Sequence, residues 1–216
     1  MLLQTLVMTV IGFFCGSLMN SYYIPKLVKN VDVTKFVGSD GNPGSANAIQ
    51  AAGAKIGFLC MALDVLKAFL PVFFSIHYVG ISDLSLVPVM AAPVFGHAFS
   101  PFLKWNGGKA ISTAFGSLLA AFPLSQFVLV LALILAFYKF VVVVSPDSTG
   151  VIVGFCTAVI AAVLFEPLFC IKLAVILISA VVIFKVLRNP NPGTRSIRFW
   201  RFSLSFETQG LRFRRI

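Results

Sequence analysis

Two stretches of this chain gather the groups that chemistry on a phosphate needs. The first, GSDGNPGSANAIQAAG from Gly38 to Gly53, is dense in glycine and in short hydroxyl and amide side chains. The second, GHAFSPFLKWNGGKA from Gly96 to Ala110, sets His97, Lys104 and Lys109 beside Gly107 and Gly108. Glycine-rich backbone leaves N–H groups open, and such groups beside a helix N-terminus form a concave seat for an anion. Alone, the first stretch reads equally as an ordinary turn cluster. The second adds cations, and two glycine-rich segments of this kind on one face point to a phosphate site.

Other chemistries are disfavoured by spacing. A Walker A loop needs Gly, four residues, then Gly-Lys-Ser/Thr, but here Leu103 stands at the first glycine position and Ala110 follows Lys109. A Ser/His/Asp hydrolase is equally ill served: the chain has His77 and His97 only, with no nucleophile elbow near either, and the residue five after His97 is Phe102 rather than an acid. Cys15, Cys60, Cys156 and Cys170 lie in apolar segments without paired short spacing, so they read as small buried hydrophobes rather than zinc ligands or a disulfide framework. No metal and no cofactor is expected. One further pair stands out: ALDVLKAF places Asp64 and Lys67 three residues apart on one face of an apolar helix. Intramembrane charges are costly and pair with one another, so this pair either pins neighbouring helices or lines a site.

The elements that must position these groups follow from composition. Of 216 residues, 59% are hydrophobic and 11% charged, with a mean hydropathy of +0.98, which is the profile of an integral membrane protein. A helix needs about 20 apolar residues to cross the hydrocarbon core. The apolar runs predict an all-α, polytopic bundle with about seven transmembrane helices, near 3–25, 56–76, 84–103, 110–122, 124–144, 150–166 and 168–187. The run 110–122 is short for a full crossing and reads also as a re-entrant or tilted piece buried in protein. Met1 to Pro25 has no Lys or Arg, so it lacks the basic start of a cleaved signal peptide and reads as the first span.

Seven crossings place Lys26, Lys29, Lys35, Lys55, Lys104, Lys109, Lys185, Arg188 and the arginines of the C-terminal tail on one side. The opposite side receives His77, Asp83, Glu166 and, near a helix end, Lys172. By the positive-inside rule the N-terminus is expected outside and the C-terminus in the cytoplasm. A single membrane domain is expected over 1–190, followed by a basic aromatic cytoplasmic tail over 191–216 whose alternating Arg, Phe and Trp suit the membrane interface. The net charge of +10 accompanies no nucleic-acid motif and reads as cytoplasmic loops facing anionic lipid.

Gly-Asn-Pro-Gly-Ser-Ala-Asn at 41–47, Leu-Asp-Val-Leu-Lys at 63–67 and Gly-His-Ala-Phe followed by Phe-Leu-Lys-Trp-Asn-Gly-Gly-Lys at 96–109 occur in an order and spacing that resemble the bacterial acyl-phosphate glycerol-3-phosphate acyltransferases, the PlsY family. The resemblance runs from about residue 10 to 190. It implies seven spans in the bacterial inner or plasma membrane, a cytoplasmic active site, and transfer of a fatty acyl group from acyl phosphate to the 1-hydroxyl of glycerol 3-phosphate, giving lysophosphatidic acid and phosphate. The implied partners are acyl phosphate, glycerol 3-phosphate and membrane lipids, with the protein a monomer and no nucleic acid involved. By the same resemblance Gly41, Asn42, Gly44, Ser45 and Asn47 shape a phosphate loop, His97 and Lys109 carry the central hydrogen bonding and charge, and Asp64 and Lys67 brace or line the site. Lys104, Gly107 and Gly108 belong to its second loop, Ser148 (or Ser145) to a third cytoplasmic turn, and Asn189 to a last motif.

The chain also departs from that family's pattern. Asp40 stands where a small hydroxyl is usual, Ala46 and Gln50 where Thr and Arg are usual, Ala110 where Gly follows the motif lysine, and Val186 where a His follows a cation. Two other readings take different features as their starting point. The missing Arg and His suit a noncatalytic relative that binds a phospholipid or phosphorylated metabolite, and the intramembrane Asp64 and Lys67 suit a small anion transporter, although no internal repeat is apparent.

Overall fold

In the computed structural model, which describes residues 1–191 and 196–199 together with the backbone of 202–207 and 210–215, the first apolar run folds as two helices. These are α1 (Leu2–Ser17) and α2 (Asn20–Lys29), parted by an extended residue at Leu18. The sequence predicts one unbroken span there. The break persists because side chains from other helices take the carbonyls it frees: Ser100 Oγ donates to Ser17 O at 2.7 Å, and the Lys67 ammonium donates to the Leu18 carbonyl. In lipid every backbone polar group must find such a partner within the protein.

After α2 comes a short helix inside the glycine-rich loop, α3 (Ser45–Ala52), bracketed by Gly44 and Gly53. The long helices α4 (Ala54–His77) and α5 (Leu86–Ala98) follow, then α6 (Ile111–Ala120), α7 (Phe127–Ala136), α8 (Asp147–Phe165) and α9 (Phe169–Arg188). A short turn at Asp83–Ser85 leads into α5, another at Pro101–Leu103 leaves it, and a wide π-helical turn extends α7 to Val141. Five segments are long and apolar enough to cross a membrane, Leu2–Lys29, Ala54–His77, Asp83–Leu103, Asp147–Phe165 and Phe169–Arg188, while Ile111–Ala120 and Phe127–Val141 are shorter.

The two short helices coincide with the predicted fourth and fifth spans. At about 1.5 Å per residue, the ten residues of α6 reach about 15 Å, half a hydrocarbon core. In its turn into α7, Phe122 and Leu124 face outward while Ser125 is buried, and Glu166 takes the buried hydroxyl: Ser125 Oγ donates to Glu166 Oε2 at 2.8 Å, and the Leu168 amide donates to Oε1 at 3.1 Å.

Small residues let the helices meet backbone to backbone. A Cβ added at Gly16 would lie 2.0 Å from the Pro93 carbonyl oxygen, and one at Gly96 2.0 Å from that of Phe13, so α1 and α5 cross where neither tolerates a side chain. Gly116 does the same for α6 against α4, with the Val65 carbonyl 2.1 Å from its would-be Cβ. Met90, Val94, Leu118, Leu131, Phe155 and Ile178 fill the core between helices. Leu3, Phe74, Leu133, Phe165 and Phe169 point outward, as lipid-facing side chains do. Of the cysteines only Cys60 is buried; Cys156 sits on the outer face of α8.

The predicted all-α architecture needs one correction, because the mostly helical chain also carries a small sheet. Strands β1 (Val142–Ser145), β2 (Ser196–Phe199), β3 (Phe202–Glu207) and β4 (Gly210–Arg215) pair antiparallel in that order. The register sets Val143 opposite Arg198, Arg198 opposite Ser203 and Ser203 opposite Arg214. The tail's alternation of polar and apolar residues has the period of two that a strand needs, not the 3.6 of a helix.

Candidate active site

Three helices begin at one cavity. The first turns of α3 (Ser45, Ala46, Asn47), α6 (Ile111, Ser112) and α8 (Asp147, Ser148) line an open-mouthed cavity of ≈ 200 Å³ together with Asp64, His97 and Lys109. The first N–H groups of a helix have no intrahelical partner, and the helix dipole is positive at that end. Three such ends on one cavity make a seat for negative charge.

Local sequence explains each beginning. Gly44 takes an extended backbone to start α3, and an added Cβ there would meet Asn42 Nδ2 at 2.5 Å. Pro146 takes an extended backbone to start α8. Ala110 starts α6 with φ 61, a left-handed conformation that disfavours any residue with a Cβ by about 1 kcal/mol relative to glycine.

At the centre lies Lys109. Its ammonium donates to Asp40 Oδ2 at 2.6 Å and to Asn191 Oδ1 at 2.8 Å. Asp40 also accepts from the Asn42 amide at 3.0 Å and Asn47 Nδ2 at 2.8 Å on Oδ1, and from Asn191 Nδ2 at 3.2 Å on Oδ2. Burial works against the charge on Asp40, but the Lys109 hydrogen bond, the Asn42 amide and the Asn47 amide outweigh it and hold the carboxyl below its ordinary range. Asn47 Nδ2 further donates to Ser39 Oγ at 3.1 Å and to the Asn42 carbonyl at 2.8 Å, which folds the glycine-rich loop over α3.

His97 forms the inner wall. It is 3% exposed, and among the described residues its Nδ1 has no hydrogen-bond partner, as is true of Asn42 Oδ1. Gly107 and Gly108 do not line the cavity. They hold the second loop against His97: the Gly107 amide donates to Ala98 O at 3.2 Å and the Gly108 amide to His97 O at 3.0 Å. A Cβ on Gly108 would stand 2.2 Å from His97 Nε2, so the imidazole rests on bare backbone.

Asp64 and Lys67 form a buried ion pair at 2.8 Å. Ser21 Oγ donates to Asp64 Oδ2 at 2.6 Å and Asn20 Nδ2 to Oδ1 at 3.4 Å. The pair therefore ties α4 to the α1–α2 break, while Asp64 also reaches the cavity wall.

Of the sequence-predicted residues, Asn42, Gly44, Ser45, Asn47, Asp64, His97, Lys109 and Ser148 line this one cavity. Gly41 stands outside it, in the turn that leads to Asn42, with φ 74. Lys104 is exposed and left-handed after the Pro101–Leu103 turn, which directs it to solvent. Lys67 points to the Leu18 carbonyl instead. Asn189 is half-buried outside the cavity, and Asn191 takes the place at Lys109. Ser145, the competitor of Ser148, is a β1 residue.

Sequence reasoning missed the Asp40–Lys109 pair, Asn191, and the helix starts of α6 and α8. It also missed Lys185, fully buried on α9, whose ammonium lies 5.5 Å from the Phe99 ring centroid without a hydrogen-bond partner among the described residues. Gln50 and Val186, which replace an Arg and a His of the resembling family, both line the cavity and bring no charge to it.

Comparison with known proteins gives the family and the fold. The chain is 45% identical over 108 residues to glycerol-3-phosphate acyltransferase 2 of Thermotoga maritima, an alignment covering 50% of this chain and 53% of that protein. Against this relative the chain spans about half the length. The glycerol-3-phosphate acyltransferase of Endomicrobium trichonymphae is 32% identical over 159 residues, 70% of this chain and 78% of its own. The crystal structure of PlsY, an integral membrane glycerol 3-phosphate acyltransferase, in its glycerol 3-phosphate form superposes with a TM-score of 0.74 at 27% identity, covering 87% of this chain and 90% of that one; the lysophosphatidic acid form gives 0.71. A family model described as glycerol-3-phosphate acyltransferase follows residues 6–192, through every element that lines the cavity, and the chain belongs to that family.

Proposed function

We propose that this protein transfers a fatty acyl group from acyl phosphate to the 1-hydroxyl of glycerol 3-phosphate, releasing lysophosphatidic acid and inorganic phosphate without a cofactor. The observation that carries this reading is the convergence of three helix N-termini and Lys109 on one cavity. Both substrates bear phosphate, and preorganised N–H groups plus an ammonium are what a phosphate and a developing oxyanion require. In the reaction the acceptor hydroxyl oxygen bonds to the acyl carbon and the acyl–phosphate C–O bond breaks. The phosphate leaves with that electron pair and takes up the hydroxyl proton, departing as hydrogen phosphate. Lys109 and the helix ends hold the phosphate, and His97, on the cavity wall, is the imidazole beside the acceptor.

An apolar cleft between α7 and α8 supports the lipid half of the reading. It is lined by Leu135, Tyr138, Val144 and Gly150 and shares Asp147 and Val151 with the main cavity. A chain entering there would lie along the bundle with its head at the helix ends.

The membrane arrangement belongs to the same proposal: seven apolar segments in the cell membrane, five of them long enough to cross it and α6 and α7 entering part way, N-terminus outside, the site cytoplasmic, the protein a monomer. Its support is that the cavity is lined from the α3 loop, the C-terminal end of α5, the starts of α6 and α8, and the end of α9. The chain must therefore leave and return to one face repeatedly, with α6 and α7 making a shallow excursion.

The test is phosphate release by the detergent-purified protein given palmitoyl phosphate, with and without glycerol 3-phosphate, beside Lys109→Ala. Release that depends on the acceptor and disappears in the variant is expected. Release indifferent to the acceptor, or unaffected by the substitution, overturns the assignment.

A further inference from the structure

Part of the cavity's donor set, the ammonium included, is already occupied by an anion of the protein itself. Asp40 accepts from Lys109 Nζ, the Asn42 amide, Asn47 Nδ2 and Asn191 Nδ2 at 2.6–3.2 Å. Four donors saturate a carboxylate's two oxygens, and this one is 3% exposed. Among the described residues lining the cavity, Lys109 is the sole cation, so Asp40 holds the charge that a substrate phosphate has to use.

The chain around Asp40 is built to let go. Gly38 and Gly41 flank it with φ 89 and 74, and nothing lies within 4 Å of a Cβ added to either. A segment with two such glycines can swing the carboxylate aside without moving a packed helix. Asn191 lies beyond the end of α9 and is held to the site by Lys109 and Asp40, so it too can change partner.

We infer that Asp40 is a built-in competitor for the phosphate seat: a phosphate group binds Lys109 and the α3 loop only by displacing this carboxylate, and Asp40 thereby sets the affinity for phosphorylated substrate. This rests on the acyltransferase reading only for the identity of the substrate. The competition itself is a property of any phosphate that enters the cavity.

The experiment compares wild type with Asp40→Ser and Asp40→Asn. Removing the competitor is expected to lower KM by about tenfold or more, the factor carried by one charge-assisted hydrogen bond. KM is measured separately for palmitoyl phosphate and for glycerol 3-phosphate, and the one that falls identifies whose phosphate takes the seat. A structural role for Asp40 predicts the opposite, a raised KM or a lowered kcat, because damage to a site does not tighten binding. An unchanged or raised KM for both substrates overturns the inference.

Should neither wild type nor variant transfer an acyl group, the acyltransferase assignment fails, but the inference is still read by binding. Inorganic phosphate, titrated into the detergent-solubilised proteins, is then expected to raise the melting temperature of Asp40→Ser at lower concentration than that of wild type. Equal or weaker stabilisation of the variant overturns the inference independently of catalysis.

Discussion

Replacing Gly108 by alanine tests whether the imidazole of His97 must sit where it does. Gly108 has no left-handed backbone, so alanine costs its main chain nothing. The added methyl, however, would lie 2.2 Å from His97 Nε2, 3.0 Å from Cδ2 and 3.3 Å from Cε1. An ordinary carbon–nitrogen contact is about 3.5 Å, so the ring has to retreat by about 1 Å. Misplacement of a reacting or positioning group by about 1 Å costs on the order of 100-fold in rate, whereas the strain on one side chain costs only about 1–3 kcal/mol of stability. Gly108→Ala is therefore expected to fold, to melt slightly below wild type, and to lose about 100-fold in kcat. Gly107→Ala is the control for a backbone clash: its methyl would stand 1.9 Å from the His97 carbonyl oxygen, which no rotamer relieves, so this variant is expected not to fold. Phosphate release and thermal unfolding in the same detergent read both effects. Wild-type turnover by a folded Gly108→Ala protein would refute the placement of His97 at the reacting centre.

Three further outcomes follow from the same geometry. Lys67→Met leaves Asp64 charged and buried, so it is expected to lower stability by about 3–5 kcal/mol, with Asp64→Asn/Lys67→Met recovering most of the loss; a single variant as stable as wild type in thermal unfolding would show that the pair does not brace the α1–α2 break. Val151→Phe narrows the junction between the main cavity and the α7–α8 cleft, so it is expected to raise KM for palmitoyl phosphate several-fold more than for a short-chain acyl phosphate, at about 0.8 kcal/mol per methylene excluded; equal effects on both donors would place the acyl chain elsewhere. The Asp40 carboxyl titrates below its unfolded value of 3.8, so its stabilising contribution is present above about pH 4 and is lost as pH falls through the folded pKa; melting temperature followed downward from pH 5 is expected to fall less steeply in Asp40→Asn than in wild type, and parallel curves would mean that the pairing with Lys109 does not stabilise the fold.

How much of this could be read from residues alone depends on how local the cause is. The apolar runs at 56–76, 84–103, 150–166 and 168–187 end within a few residues of α4, the α5 segment, α8 and α9, because hydrophobic length is written in consecutive residues. The break at Leu18 was not legible: neither Leu18 nor Met19 disfavours a helix, and the carbonyls are relieved by Lys67 and Ser100, far along the chain. Helix α3 was hidden for a different reason. Its eight residues lie between Gly44 and Gly53, and glycine and small polar side chains suit a turn as well as a short helix start. The tail's strands show in the sequence as alternation, but basic and aromatic residues also alternate at a membrane interface, so period two alone does not single out a sheet.

The site divides along the same line. Ser45, Asn47 and Ser148, in the first turns of their helices, and Lys109, just before α6, line the cavity, where the family resemblance leads one to expect them. Residues that reach it through a distant partner are not legible in this way. Asn189 and Asn191 stand two residues apart with a proline between them, and nothing local decides which turns inward; the ammonium of Lys109 decides it, across 82 positions. Asp40 was visible as a substitution of charge for hydroxyl, yet its effect depends on a lysine 69 residues away. An acidic residue in a loop rich in open N–H groups is neutral information in one dimension. Once it shares a cavity with three helix ends and takes the cation there, the same residue becomes the occupant with which any phosphate has to compete.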